Sequence, residues 1–233
     1  MFAARVCDTA RMPSNDARRV NALRRSRTCS TRSPSSDGTT QSPTATSAPM
    51  LRTRSGSDVP RASNAAKFLY SLAHNVKPII AAVDGVAIGI GTTMLFHCDY
   101  VLASKTATFS TPFINLGLVP EGASSLLAPR AMGHQRAFAM LVMGRKLTAD
   151  DAHAAGFVNV VVAPGHTEAE ARKVAREICA LPAEAVAISR KLLKLPPEDM
   201  TRRIDQEGHL FGERMRSREA ISAFQKFFDR KKG

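Results

Sequence analysis

Along this chain the hydrophobic positions show no regular period before about residue 63, and then they fall into order. Residues 65–75, AAKFLYSLAHN, carry apolar side chains at helical spacing and predict an amphipathic helix leading into a Lys77-Pro78 boundary. The unbroken apolar run Ile79–Val83, closed by Asp84-Gly85, reads as a buried strand. Val86-Ala87-Ile88 then meets the turn Gly89-Ile90-Gly91, and Thr92 and Thr93 open an apolar segment to His97, giving strand, glycine turn and helix start. Residues 100–103 and 107–113 read as further strands, and residues 115–122 as a loop. Ser124 and Ser125 stand where they can cap a helix over 124–131, and a second helix over 134–143 stops at Gly144. The stretch from Thr148 to Asp151 has capping chemistry, with Gly156 ending that helix, and residues 157–163 read as a buried strand. The rest is helical, over 167–180, 182–195, 200–216 and 217–230. Periodicity therefore predicts an α/β fold with a helical C-terminal half.

Composition sharpens this picture at one end. Hydrophobic residues at 44% and charged residues at 23% are globular averages, so a packed core is expected. The net charge of +13 is uneven: residues 1–66 hold eleven Arg, no Lys and four Asp, a net +7. Residues 1–62 are rich in Arg, Ser, Thr and Pro and show neither sheet nor helix period, so no core is expected from them. An Arg- and Ser-rich, acid-poor transit peptide fits that composition. So does a disordered basic arm, although no aromatic residues are interleaved for base stacking, and nucleic-acid binding is not expected. Cys7, Cys29, Cys98 and Cys179 have no C-x-x-C spacing, which points to reduced thiols in a cytoplasmic setting, or a mitochondrial one if residues 1–62 are a transit peptide. No apolar run reaches the ~18 residues of a membrane span.

The candidate chemistry lies between Lys77 and Ser125. A helix start after a glycine turn presents free backbone N–H groups and favours negative charge. Glu121, the first glutamate in the chain, sits in an apolar loop. An anion-favouring turn and a lone carboxylate together suggest enolate chemistry. A dinucleotide fingerprint is a poor fit, because Met94 occupies the place of the third glycine and no acid follows about 20 positions on. The six histidines lack metal-ligand spacing and no G-x-S-x-G motif occurs, so neither a metal nor a serine nucleophile is expected.

The segments KPIIAAVDGVAIGIG, CDYVLAS, TATFSTPFINLGLVPEGASS and GHQRAFAMLVMGRKLTADDAHAAGFVNVVV resemble the crotonase (enoyl-CoA hydratase/isomerase) superfamily over residues 65–233. Within it, TPF-x-x-LG-x-x-PEG-x-SS looks most like the peroxisomal-type Δ3,Δ2-enoyl-CoA isomerases. The resemblance implies a crotonase-like ββα spiral core over 63–165 and a helical trimerisation region over 166–233. It also implies an acyl-CoA substrate that brings its own CoA, no further cofactor, and a homotrimer or hexamer. Glu121 is then the catalytic proton shuttle and the Ile90 N–H an oxyanion donor, with Ala87, Gly89, Gly91, Phe113 and Leu118 lining the substrate. The alternative for the two glycines is that they only permit close packing of turn and helix. A second oxyanion donor is faintly echoed at Ser55, in Ser55-Gly56-Ser57-Asp58-Val59. The paired glutamates of the hydratase branch fall on Thr93 and Phe113, which disfavours hydration. Enoyl-CoA hydratase activity in fatty-acid β-oxidation and a non-catalytic CoA-binding role are the alternatives. Because family members begin with folded strands, a third reading of residues 1–62 is an out-of-frame start.

Overall fold

The first described helix, α1 (Asn64–Ala73), starts where Ser63 accepts a hydrogen bond from the Ala66 N–H at 3.2 Å, and it buries Leu69, Leu72 and Ala73 on one stripe. The computed structural model describes residues 3–6, as backbone, and residues 63–229. Ser55 and the rest of the 1–62 segment lie outside the described residues.

Two sheets carry the core. The first has the order β1 (Ala3–Val6), β2 (Ile79–Val83), β4 (Tyr100–Ser104), β7 (Val160–Val162). β1 pairs antiparallel with β2, while β2, β4 and β7 run parallel. All five residues of β2 are buried, as a strand covered on both faces requires. The second sheet has the order β3 (Val86–Ile88), β5 (Thr108–Ser110), β6 (Leu147–Thr148), with β3 and β5 parallel and β6 antiparallel. The chain passes from the first sheet to the second and then into a helix, and does so twice. β2 and β3 lead to α2 (Ile90–Thr93) and a 3-10 turn at Met94–His97. β4 and β5 lead to a 3-10 turn at Ile114–Leu116 and on to α3 (Ser124–Met132) and α4 (His134–Leu141). Parallel neighbours need such crossovers, and the second unit stacks on the first with Ile80 opposite Tyr100 and Val86 opposite Thr108. This repeat is the ββα spiral that the family resemblance implies.

Phe109, Leu95 and Met140 are buried at the centre. Phe157 packs its ring against Phe109 at 5.2 Å, nearly perpendicular, and against Phe96 at 5.3 Å. A second cluster joins Leu69 and Leu72 of α1 to Met200 and Ile204 of α8 (Pro197–Met215), with Ala123 between them. α5 (Ala149–Ala155) has the expected capping box, Thr148 with Asp151, and ends at Gly156 in the left-handed region. α6 (Thr167–Cys179), α7 (Ala183–Leu193), α8 and α9 (Arg218–Asp229) form the helical tail. Asp99 fixes α7 to the first sheet, its Oδ2 accepting from Ile79 N–H at 2.7 Å and from Arg190 Nε at 2.9 Å.

Several expectations need correction. The strand expected over 107–113 is only Thr108–Ser110. Pro112 has no N–H to continue a ladder, and the Thr111 hydroxyl donates instead to the Met140 carbonyl at 2.9 Å. The strand expected over 157–163 is Val160–Val162 and only half-buried, with the deep apolar residues Phe157 and Val158 lying before it. Ser124 and Ser125 do not cap α3; the N-cap is Ala123, which makes no side-chain bond. Among the described residues Cys98 is a free thiol, which burial pushes up to about 12. No helix among the described residues is long and apolar enough to cross a membrane.

Candidate active site

α2 is too short to be stable alone and is held by its surroundings. Gly89, with φ 58 and ψ −124, turns the chain from β3 into the helix, and its N–H is anchored by the Ser110 carbonyl at 2.9 Å. A Cβ at Gly89 would meet nothing, so the glycine answers a backbone requirement rather than a packing one. Thr92, wholly buried, donates its hydroxyl to the Ala87 carbonyl at 2.9 Å. Thr92 and Thr93 both donate their backbone N–H groups to the Gly89 carbonyl. None of the hydrogen bonds among the described residues uses the Ile90 N–H, which is one of the orphan donors of a helix start.

Glu121 reaches this helix from the loop after β5. Its Oε1 accepts the Thr93 hydroxyl at 2.8 Å, and the same hydroxyl lies 3.5 Å from the Ile90 carbonyl. Burial pushes the Glu121 carboxyl above its ordinary range, the Thr93 bond pulls it down, and the charge of Glu207 pushes it up again. The loop is then forced through a left-handed pair, Gly122 at φ 72 and Ala123 at φ 58. A Cβ on Gly122 would stand 3.2 Å from Leu69 Cδ2 and 3.3 Å from Thr93 Oγ1, so the close approach of Glu121 to Thr93 depends on that glycine.

The fold thus brings Ile90, Thr93 and Glu121 together, with Gly89 and Gly91 beside them. Ala87, Phe113 and Leu118, expected to line a substrate, are all buried in the main core; Ala87 lies on β3, whose Val86 and Ile88 face outward. Ser55 is outside the described residues. A cleft of about 640 Å³ between the end of α1, α7 and the start of α8 does not include Glu121 on its wall and is separate from this site.

Two polar residues on the loop's flanks are not marked as site residues by any motif. His97 is 1% exposed, and its Nε2–H donates to the Gly122 carbonyl at 2.7 Å. Burial holds the imidazole below its ordinary value, which keeps that tautomer neutral. Glu207 of α8 is 5% exposed and accepts the N–H of Ala123 at 2.6 Å, with the N–H and hydroxyl of Ser125 at 2.9 and 2.5 Å. A signal was present: Glu207 continues the apolar spacing of Met200 and Ile204, a charged residue on a helix's inward stripe.

Comparison with known proteins identifies the family and the fold. The family described as enoyl-CoA hydratase/isomerase matches residues 50–233. Enoyl-CoA delta isomerase 2 of Rattus norvegicus is 37% identical over 156 residues, 66% of this chain and 40% of that protein. The chromodomain Y-like protein of Homo sapiens is 47% identical over 89 residues, 38% of this chain and 15% of that protein. The chain spans about half or less of the length of the curated relatives it matches. A solved enoyl-CoA hydratase/isomerase from Pseudoalteromonas atlantica superposes with a TM-score of 0.70 at 37% identity, covering 74% of this chain and 71% of that one. Two stacked sheets, the strand–strand–helix repeat and the helical tail are therefore those of a crotonase fold, and the chain belongs to the enoyl-CoA hydratase/isomerase family.

Proposed function

We propose that the protein binds an acyl-CoA thioester and moves a double bond from C3–C4 to C2–C3. Glu121 takes the proton from C2, the Ile90 N–H stabilises the negative charge that develops on the thioester oxygen, and the protonated Glu121 returns a proton at C4. The product is an isomer of the substrate, so one carboxylate suffices and no group is consumed. The observation that carries the reading is the single half-buried carboxylate of Glu121, held by Thr93 beside a helix start whose first N–H is free. A carboxyl raised above its usual range is suited to trading protons near neutral pH.

Hydration is the other activity in the family's description, and two features weigh against it. By the family resemblance, Thr93 and Phe113 stand where the hydratase branch carries its paired glutamates. The other carboxylate whose charge acts on Glu121, that of Glu207, is committed to two backbone N–H groups. The experiment is turnover of a 3-enoyl-CoA by the purified chain, with hydration of a 2-enoyl-CoA measured beside it. Isomerisation in excess supports the reading, and hydration equal to or above it overturns the assignment.

The same reading makes the helical tail an assembly surface. Leu181, Ile188, Leu192 and Leu193, on and just before α7, are all more than half exposed, at 55%, 54%, 81% and 87%. A homotrimer or hexamer that covers them is expected, and a monomer in light scattering contradicts it.

A further inference from the structure

The loop that presents Glu121 has an unusual amount of polar support. Ala123 is wholly buried and holds φ 58, a conformation that a residue with a Cβ adopts only when its surroundings compel it. Its N–H is out of reach of water and needs an acceptor from the protein. The N–H of Ser125 belongs to the first turn of α3, where no helical partner exists and negative charge is favoured. One carboxylate, Glu207, takes both, together with the Ser125 hydroxyl. Arg203 Nη1 donates to Ser125 Oγ at 2.9 Å, which turns that hydroxyl's proton toward Glu207. From the opposite side His97 holds the Gly122 carbonyl.

We propose that Glu207 is a positioning residue of this site: by clamping the backbone N–H groups of Ala123 and Ser125, it fixes the direction in which Glu121 leaves its loop. The inference rests on the reading of Glu121 as the proton-transfer group, and adds what aims it. Only an acceptor with two free oxygens fits between three converging donors, because the amide end of a glutamine turns an N–H toward another N–H. The clamp also has an electrostatic consequence, since it keeps a second negative charge near Glu121. The other groups around the pair are Arg203 on α8 and the neutral His97. α3 contributes Arg130, which shares a small surface cleft with Arg203, and α1 turns the Tyr70 hydroxyl to Asp205 and its leucines to the loop.

The test compares the full chain with E207Q, and with E207D, which keeps the charge but shortens its reach should E207Q not fold. Three quantities are read: amide hydrogen exchange over 121–126, the titration of the Glu121 carboxyl by NMR with carbon-13-labelled glutamate, and kcat and KM on a 3-enoyl-CoA. In a folded E207Q the Ala123 and Ser125 amides exchange at least about tenfold faster, and Glu121 titrates at lower pH because a neighbouring negative charge is gone. There, kcat falls about ten- to hundredfold while KM stays within about twofold, the pattern of misplacement rather than lost binding. E207D shows the exchange and kcat effects with a smaller titration shift. Wild-type exchange and wild-type titration in either folded variant overturn the proposal. Glu121 has its own control: if E121Q turns over as fast as wild type, proton transfer by Glu121 is wrong, while exchange and titration still decide whether Glu207 holds the loop.

Discussion

The hydroxyl of Thr93 lies 2.8 Å from Oε1 of Glu121 and 3.5 Å from the carbonyl oxygen of Ile90, so one small side chain joins the carboxylate to the helix that offers a free N–H. A glutamate in place of Thr93 would put a second negative charge against Glu121. A threonine there supplies a donor and holds the carboxylate still.

Thr93→Val removes that donor while keeping the shape. The bond favours the charged carboxylate, so its loss moves the Glu121 carboxyl further up and shifts the acid limb of turnover to higher pH. Thr93→Ser keeps the donor and leaves the limb in place. Coincident pH–rate profiles for the two variants would show that the hydroxyl does not govern Glu121.

Stability carries the same signature with the sign worked through. Glu121 holds its proton more tightly in the folded chain than in the unfolded one, so the native state binds more protons across the interval between the two pKa values. Stability therefore falls as pH rises through that interval, and the whole cost is present above the raised value. Glu121→Gln does not titrate and still accepts from Thr93, so its melting temperature gains on wild type as pH rises from the ordinary glutamate range to neutrality. A difference independent of pH contradicts the raised carboxyl.

Much of this could be read from the residues. The all-apolar Ile79–Val83, the Gly89 turn and the Thr148–Asp151 box are local patterns, and each element formed where its own sequence places it. Glu121 was legible because it stands alone in an apolar loop. Phe113 and Leu118, expected to line the substrate, are buried in the main core, a placement that the apolar character of a loop residue does not announce. The cap of α3 was missed for a different reason. Ser124-Ser125 is the stronger local signal, but a carboxylate 84 residues downstream of Ala123 reaches the same N–H groups once α8 folds over the loop. Nothing local announces such a partner except a glutamate on an apolar stripe.

Gly122→Ala tests the loop's geometry. The left-handed backbone costs about 1–2 kcal/mol with a Cβ, and the added methyl presses on Leu69 and Thr93. The expected result is a stability loss of about that size, read by urea titration, together with reduced kcat. Unchanged stability and rate would mean that the loop relaxes freely and that its closeness to Thr93 is incidental.

Asp99→Ala tests the junction between the first sheet and α7. Arg190 loses its carboxylate partner while largely buried, and the Ile79 N–H loses its acceptor. Breaking such a pair costs about 3–5 kcal/mol. A loss below about 1 kcal/mol would place the junction's stability in apolar packing instead.

The central claim is that Glu121 moves the proton, and solvent deuterium tests it most directly. Wild type and Glu121→Gln are incubated with a 3-enoyl-CoA in deuterium oxide, with CoA-ester binding measured separately by calorimetry. The account predicts label at C2 and C4 with wild type, and a loss of exchange of about 10²–10⁴-fold in Glu121→Gln with binding retained. Label entering at the wild-type rate in Glu121→Gln would contradict it.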